Sequence, residues 1–282
     1  MKLASYQHDG NDTWGVVTGD GLIDMGARAG AKYPTIRAVL EAGALAEVAS
    51  ESAGQNADHR LDAVTLLPVI THADKILAIG LNYRTHVEEG GRAIPEHPMI
   101  FVRWNDSQVG HDQPLVRPKL SHIFDFEGEM AVIIGKKARH VSEADSLDYI
   151  AGYSCFNDGS IRDWQRHTGQ FTPGKNFFHS GSFGPFMVTA DEAGPPDSHT
   201  LITRLNGEEM QRATTDDLLF NVPQLMAYIT AFTELNPGDV IATGTTGGVG
   251  FYREPQVFMK PGDVVEVDIS EIGVLKNTIV DE

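Results

Sequence analysis

Short stretches in which apolar and polar residues alternate open the chain, at residues 2–7, 13–17 and 21–25, separated by Asp-Gly-Asn-Asp and Gly-Asp-Gly clusters. Period-two alternation between turn residues predicts a small β-meander. Thr35 is placed to cap a helix from Ile36 to about Ala42, with a second helical patch at 44–50. A polar loop is expected at 54–60, and 66–74 reads as a linker between a small N-terminal unit (1–70) and a larger remainder (71–282). Beyond it, apolar runs at 75–80, 99–103, 149–156, 186–189, 201–205, 240–243 and 264–269 predict strands. Residues 221–232 carry helical spacing with Pro223 near the start, and 160–167 predicts a short helix. Strands and helices do not alternate regularly, which argues against a Rossmann or TIM-barrel layout. The expectation is a strand-rich, mixed α+β fold.

Composition narrows the picture. With 282 residues, 41% of them hydrophobic, the chain can bury a sizeable core in one large or two unequal domains. A formal charge of −17 excludes the positive field that nucleic acid or an anionic membrane needs. No window reaches the length of a membrane span, and the Met1 end lacks a charged-then-apolar secretory pattern, so a cytoplasmic location is expected. Cys155 is the single cysteine, which rules out an internal disulfide and a thiolate zinc site. It reads as a small buried hydrophobe, since no local His marks it as a nucleophile. An anionic substrate would meet overall repulsion, so a local cation must dominate its pocket.

Candidate chemistry centres on Asp125, Glu127 and Glu129, at every second position of Ile-Phe-Asp-Phe-Glu-Gly-Glu-Met-Ala-Val-Ile-Ile-Gly. On a strand these carboxylates share one face, about 7 Å apart. Such a cluster running into apolar residues is costly unless a cation neutralises it, and oxygen ligands favour Mg²⁺, Mn²⁺ or Ca²⁺. The bland alternative is a solvated edge strand. Asp158 stands where an apolar run ends, although Asn-Asp-Gly is also ordinary turn chemistry. His86 and Glu89 are three apart, so on a helix the carboxylate can orient the imidazole as a general base, and Gly90-Gly91 permits hinge motion. Lys175 lies in a Gly-containing loop. The glycine-dense 243–250 segment matches neither a P-loop nor a dinucleotide fingerprint, yet with Thr245 it can form an anion nest.

Together the ordered motifs Gly80-Leu-Asn-Tyr…His86, Phe126-Glu-Gly-Glu-Met-Ala-Val-Ile-Ile-Gly, Asp158…Arg162-Asp-Trp-Gln165, Gly174-Lys-Asn-Phe, Asn206-Gly-Glu…Gln211 and Gly238-Asp-Val-Ile-Ala-Thr-Gly-Thr resemble the fumarylacetoacetate hydrolase family. The resemblance runs from about Lys75 to the C-terminus. It implies a β-roll-like C-terminal domain, a smaller N-terminal domain and a homodimer. It further implies Mg²⁺ or Mn²⁺ on Glu127, Glu129 and Asp158, with Ca²⁺ an acceptable substitute in crystals, and leaves Asp125 outside that set. His86 and Glu89 match the lid dyad that activates water. Lys175, Arg162 and Gln165 match residues that contact the substrate or its developing oxyanion, and Thr245 matches a binder of the substrate carboxylate. The 163–175 connection reads as shorter than in many relatives and 179–185 as an unusual loop, and both bear on substrate identity.

The activity this implies is hydrolysis of a C–C bond in a small anionic 2-oxo acid, a 2,4-diketo (acylpyruvate-type) substrate, giving pyruvate and a carboxylic acid. Two alternatives share the enolate logic: oxaloacetate decarboxylation or tautomerisation, and isomerisation or hydration of an unsaturated 2-oxo-dioate in aromatic catabolism. A non-catalytic keto-acid binder is the reading from another class.

Overall fold

The computed structural model describes residues 1–282. The Gly128–Ile134 strand shows why these residues fold as they do. All seven are buried, and alternate side chains enter different cores: Ala131 and Ile133 on one face of the sheet, Met130, Val132 and Ile134 on the other. A strand covered on both faces reads as an apolar run rather than an alternation. It lies within a twelve-stranded mixed sheet, between Ile150–Asn157 and Val240–Ala242. Beyond Val240–Ala242 the sheet continues through Ile76–Gly80 to Met99–Arg103, and beyond Ile150–Asn157 through Gly181–Thr189 to the N-terminal strands.

A second sheet of five strands runs Glu208–Thr214, Thr200–Leu205, Val264–Ile269, Gly273–Asp281, Leu115–Arg117. Val267, Ile269 and Leu275 from it pack into the same core as Met130 and Val132. The Val222–Phe232 helix closes that core with Val222, Leu225, Met226 and Ile229. Asn221 and Gln224 form a reciprocal capping box at its start, which satisfies two otherwise free N–H groups. The fold is thus strand-rich α+β, as expected.

The expected meander forms as Lys2–His8, Asn11–Thr18 and Gly21–Asp24, and Thr35 caps the Ile36–Glu41 helix through Ala38 N–H at 3.1 Å. These elements join the large sheet directly, with Leu3 opposite Met187. Leu3, Trp14, Ile36 and Val39 share one core with Ala131, Phe156 and Phe183. The expectation of a linker at 66–74 is corrected. Val69, Ile70 and Ala73 are buried in that shared core, and Thr65–Leu66 pairs with Gln7 and Tyr6. The apolar side chains of this stretch have somewhere to go, so it is part of the packing. The 160–167 helix is shorter than expected, a two-residue strand Ser160–Ile161 followed by a helical turn at Arg162–Gln165. No helix is long and apolar enough to cross a membrane.

Candidate metal and substrate site

The carboxylate strand does not run unbroken. Phe124–Asp125 pairs with Ser160–Ile161, the strand lapses at Phe126 and Glu127, and the long strand begins at Gly128. The break sends the three acids to different tasks. Asp125 Oδ1 accepts from Gly250 N at 2.8 Å and Phe126 N at 2.9 Å, while Oδ2 accepts from Phe251 N at 2.9 Å and Arg162 Nε at 2.8 Å. Its oxygens are spent on holding the 250–251 turn and Arg162. Burial pushes the Asp125 carboxyl up, against the opposing pull of Arg162.

Glu127, Glu129 and Asp158 converge instead. All three are buried, and one oxygen from each lies within 4.8 Å of the others. Asp158 follows the Ile150–Asn157 strand, which pairs with the Glu129 strand, and its own N–H donates to Glu127 O at 2.8 Å. Lys175, from the Thr172–Lys175 turn, places Nζ 2.6 Å from Glu127 Oε2 and 2.5 Å from Asp158 Oδ2. Arg162 Nη1 is 2.6 Å from Glu127 Oε1. Arg103 Nη1 donates to Asp158 Oδ1 and, at 3.1 Å, to Gly159 O.

Four buried carboxylates therefore face three buried cations, and the deficit falls on Glu129. Its one hydrogen bond is from Gly244 N to Oε2, at 2.8 Å. Burial raises its carboxyl well above the ordinary range, and the charges of Asp158 and Glu127 add to that. For Glu127, burial pushes upward but Arg162 and then Lys175 outweigh it, holding the carboxyl well below its ordinary value. An all-oxygen donor set that is one positive charge short fits a hard divalent cation.

Above this floor the Arg84–Glu89 helix carries His86, whose Nδ1 is 2.7 Å from Glu89 Oε1. Glu89 Oε2 accepts from Gly248 N at 2.7 Å, which ties the helix to the glycine-dense 243–250 segment. With the carboxylate holding Nδ1–H, Nε2 is the nitrogen left for chemistry. His86, Glu127, Glu129, Arg162, Gln165, Lys175 and Thr245 all line one cavity of about 590 Å³ including its open mouth.

Two expected substrate contacts acquire detail. Gln165 Oε1 accepts from Arg162 Nη1 at 3.0 Å, so its amide NH₂ remains available. The Thr245 hydroxyl donates to Gly128 O at 2.9 Å and accepts from Gln211 Nε2 at 2.8 Å, so its proton is already committed within the protein. Arg162 Nη2 is buried with no partner, a donor without an acceptor on a residue that lines this cavity. Sequence reasoning missed Arg103, because its partner Asp158 is 55 residues away and an Arg at the end of an apolar strand looks like a surface terminus. Cys155 is fully buried and takes no part in the cavity.

The fumarylacetoacetate (FAA) hydrolase C-terminal family model matches residues 75–280. The rat (Rattus norvegicus) mitochondrial oxaloacetate tautomerase Fahd2a is 37% identical over 93% of this chain and 85% of its own. The crystal structure of 5-carboxymethyl-2-hydroxymuconate delta-isomerase from Mycobacterium smegmatis superposes with a TM-score of 0.79 at 30% identity, covering 100% of both chains. Maleylpyruvate hydrolase from Sphingobium sp. SYK-6, in complex with manganese(II) ion and pyruvate, gives 0.83 at 27% identity over 100% of this chain and 99% of that one. With the family model spanning the carboxylate floor, the His86 helix and the Thr245 segment alike, the chain belongs to the fumarylacetoacetate hydrolase family.

Proposed function

We propose that the protein is a divalent-metal-dependent enzyme that interconverts the keto and enol forms of a small 2-oxo acid. The observation that carries this is Glu129, a buried carboxylate with no ion-pair partner, lining the same cavity as His86, whose ring Glu89 orients. Glu127, Glu129 and Asp158 would hold Mg²⁺ or Mn²⁺. When bound, the ion supplies Lewis acidity toward the keto and carboxylate oxygens of the substrate.

His86 Nε2 takes a proton from the carbon next to the ketone, while Glu89 fixes the ring and stabilises the charge it gains. The enolate left behind lies near Lys175 and the free Nη2 of Arg162, fixed donors that stabilise developing negative charge without reorganising. Return of a proton to the oxygen completes the tautomerisation. The Gln165 amide orients the carboxylate end. Support comes from the rat relative, whose name gives it as an oxaloacetate tautomerase.

Hydrolysis of an acylpyruvate is the second reading, favoured by the same dyad. A base 2.7 Å from its orienting carboxylate suits a water as well as a C–H bond. The Sphingobium hydrolase supports it. Purified protein with Mg²⁺ or Mn²⁺, given oxaloacetate, acetylpyruvate and an unsaturated 2-oxo-dioate, separates these and the isomerase reading. Turnover of enol-oxaloacetate that is abolished by chelator is the expected result. Turnover of none, with no metal detected by calorimetry, would overturn the proposal. In His86→Ala, both C–C hydrolysis and catalysed enolisation should collapse.

A homodimer also fits. Trp104 and Phe178 are exposed large apolar side chains, and Asn176, two residues before Phe178, bonds to the backbone at Val102 O and Trp104 N at 3.0 and 2.7 Å. Light scattering should show a dimer that Trp104→Glu dissociates. A cytoplasmic location remains part of this proposal, although the rat relative is named as mitochondrial.

A further inference from the structure

Glu89 can orient His86 only if something orients Glu89. Its Oε2 accepts from Gly248 N at 2.7 Å, and Gly248 lies in the 243–249 segment, outside any helix or strand. No backbone ladder fixes that N–H, so side chains must. Gly248 has φ +99°, a conformation that favours glycine, and a Cβ there would stand 2.3 Å from Met210 O. Arg253 secures the residue from its other end. Its Nε donates to Gly248 O at 3.0 Å, and its Nη2 donates to Met210 O. One planar guanidinium thus clips Gly248 to the carbonyl that crowds it.

Met210 belongs to Glu208–Thr214, an edge strand of the five-stranded sheet. The next residue of that strand, Gln211, holds the same segment slightly earlier, with Nε2 donating to Thr245 Oγ1 and Thr246 O, both at 2.8 Å. On the lid side, Thr85 Oγ1 accepts from Gly247 N at 3.1 Å. The His86 helix therefore touches the segment at Thr85 and Glu89, and the segment is fastened to the strand by Gln211 and Arg253. Only the Arg253 fastening acts at Gly248. An arginine following a 3₁₀ turn, such as Gly250–Tyr252, ordinarily does no more than cap nearby carbonyls. That would account for Gly248 O, five residues back, but Met210 O is 43 residues away. Arg253 does not line the substrate cavity and instead lines a separate groove with Met210, Val257 and Lys260. Its influence on the chemistry must pass through Gly248.

We infer that Arg253 is a positioning residue for proton transfer: by fixing Gly248 it holds Glu89, and through Glu89 the His86 ring. This rests on the reading of His86 as the base. Without the guanidinium, Gly248 N–H is free to drift, Glu89 loses the anchor on Oε2, and His86 Nε2 is aimed less well. The carboxylate floor, Lys175 and Arg162 keep every partner they have, so binding is spared. The loss falls on kcat, where a misplacement of about 1 Å costs roughly 10²-fold.

The test is a double-variant cycle on the full-length protein with Mg²⁺, using whichever of enol-oxaloacetate and acetylpyruvate it turns over. Arg253→Met should lower kcat at least about tenfold and leave KM within about twofold. Glu89→Ala should lower kcat too, and adding Arg253→Met to it should cost nothing further, because the group through which Arg253 acts is gone. An unchanged kcat in Arg253→Met, additive losses in the double variant, or a KM that rises in step overturns the assignment. Backbone hydrogen exchange over residues 84–91 reads the same link without turnover. It should quicken in Arg253→Met and in Glu89→Ala, and no further in the double variant, while residues 150–157 stay unchanged. Arg253→Lys, which keeps a donor for one carbonyl at a time, should fall between and replaces the Met variant if that does not fold. If the unsubstituted protein turns over neither keto acid, the proposed function falls on its own and the exchange series decides the positioning role. Equal exchange in all the proteins overturns it.

Discussion

Arg103 and Asp158 form a fully buried ion pair, with the guanidinium on Asp158 Oδ1 while Oδ2 faces Lys175. Ser180 Oγ at 3.2 Å and Ser107 Oγ at 3.3 Å hold the same guanidinium, so it cannot follow Asp158 if that side chain swings. Breaking a buried pair by removing one partner leaves an uncompensated charge and costs roughly 3–5 kcal/mol. Arg103→Met should therefore lower stability by about that amount in urea unfolding. Because the cluster is then two positive charges short, Mg²⁺ should restore more stability to Arg103→Met than to the unsubstituted protein. Equal Mg²⁺ effects in the two proteins would count against a cation at this floor.

Glu129→Gln isolates the cation site from the rest of the cluster. Gln keeps the acceptor for Gly244 N–H but removes the one carboxylate of the four that has no ion-pair partner. Without metal the variant should be as stable as the unsubstituted protein or more so, because a buried unpaired charge is gone. With metal the order should reverse. A cation at a hundred times its dissociation constant adds about 2.7 kcal/mol to the folded state that binds it, and the variant should forgo most of this. Thermal unfolding with Mg²⁺ and with chelator checks both signs.

The strands that came straight from the pattern are those whose alternation or apolar run matched their burial, such as Met99–Arg103 and Val264–Ile269. Gly273–Asp281 escaped notice because one of its inward positions is Asn277, which breaks the apolar alternation of Leu275 and Ile279. Its side chain is satisfied by donating to Gly110 O and Gln113 O, both at 2.8 Å, a compensation only the folded chain shows. Glu208–Thr214 has few apolar residues and exists as a strand through its pairing with Thr200–Leu205.

At the site, the residue types were legible and the division of labour was not. The period-two spacing of Asp125, Glu127 and Glu129 suggested one shared face, but the tether from Asp125 to Gly250 and Phe251 breaks the strand after Asp125. The His86–Glu89 pair is local, three residues apart on one helix, and so it was readable. Arg103 depends on a partner brought to it by the sheet, and no local signal announces it.

Cys155 offers a check that is independent of activity. It is buried within the sheet, with Sγ donating to Gly273 O at 3.2 Å, and burial pushes its thiol far up from the ordinary value. The thiolate is the reactive form, so the folded protein should resist a disulfide reagent such as DTNB and yield one equivalent only on unfolding. Cys155→Ser keeps a donor for Gly273 O and should retain turnover. Rapid labelling of the native protein, or loss of turnover in a folded Cys155→Ser variant, would contradict a purely packing role.

His199 makes stability depend on pH. It is fully buried, its Nδ1–H donates to Ser270 O at 3.0 Å, and Nε2 has no partner. Burial lowers its pKa below the ordinary 6.5, against smaller upward pulls from the Ser270 carbonyl, Glu271 and Asp197. A proton added at Nε2 would create a buried charge with no acceptor, so the folded state stays neutral where the unfolded chain already binds the proton. The unfolded state then carries more protons below pH 6.5, and by linkage stability falls as pH drops through that value toward the depressed folded one. The slope from one such group cannot exceed about 1.4 kcal/mol per pH unit. His111 and His179, also lowered by burial, add in the same direction, while Glu129, raised by burial, opposes them. Urea unfolding between pH 7.5 and 5.5 with and without His199→Gln isolates the His199 part, and the variant should show the smaller loss. An unchanged slope in His199→Gln would assign the acid sensitivity elsewhere.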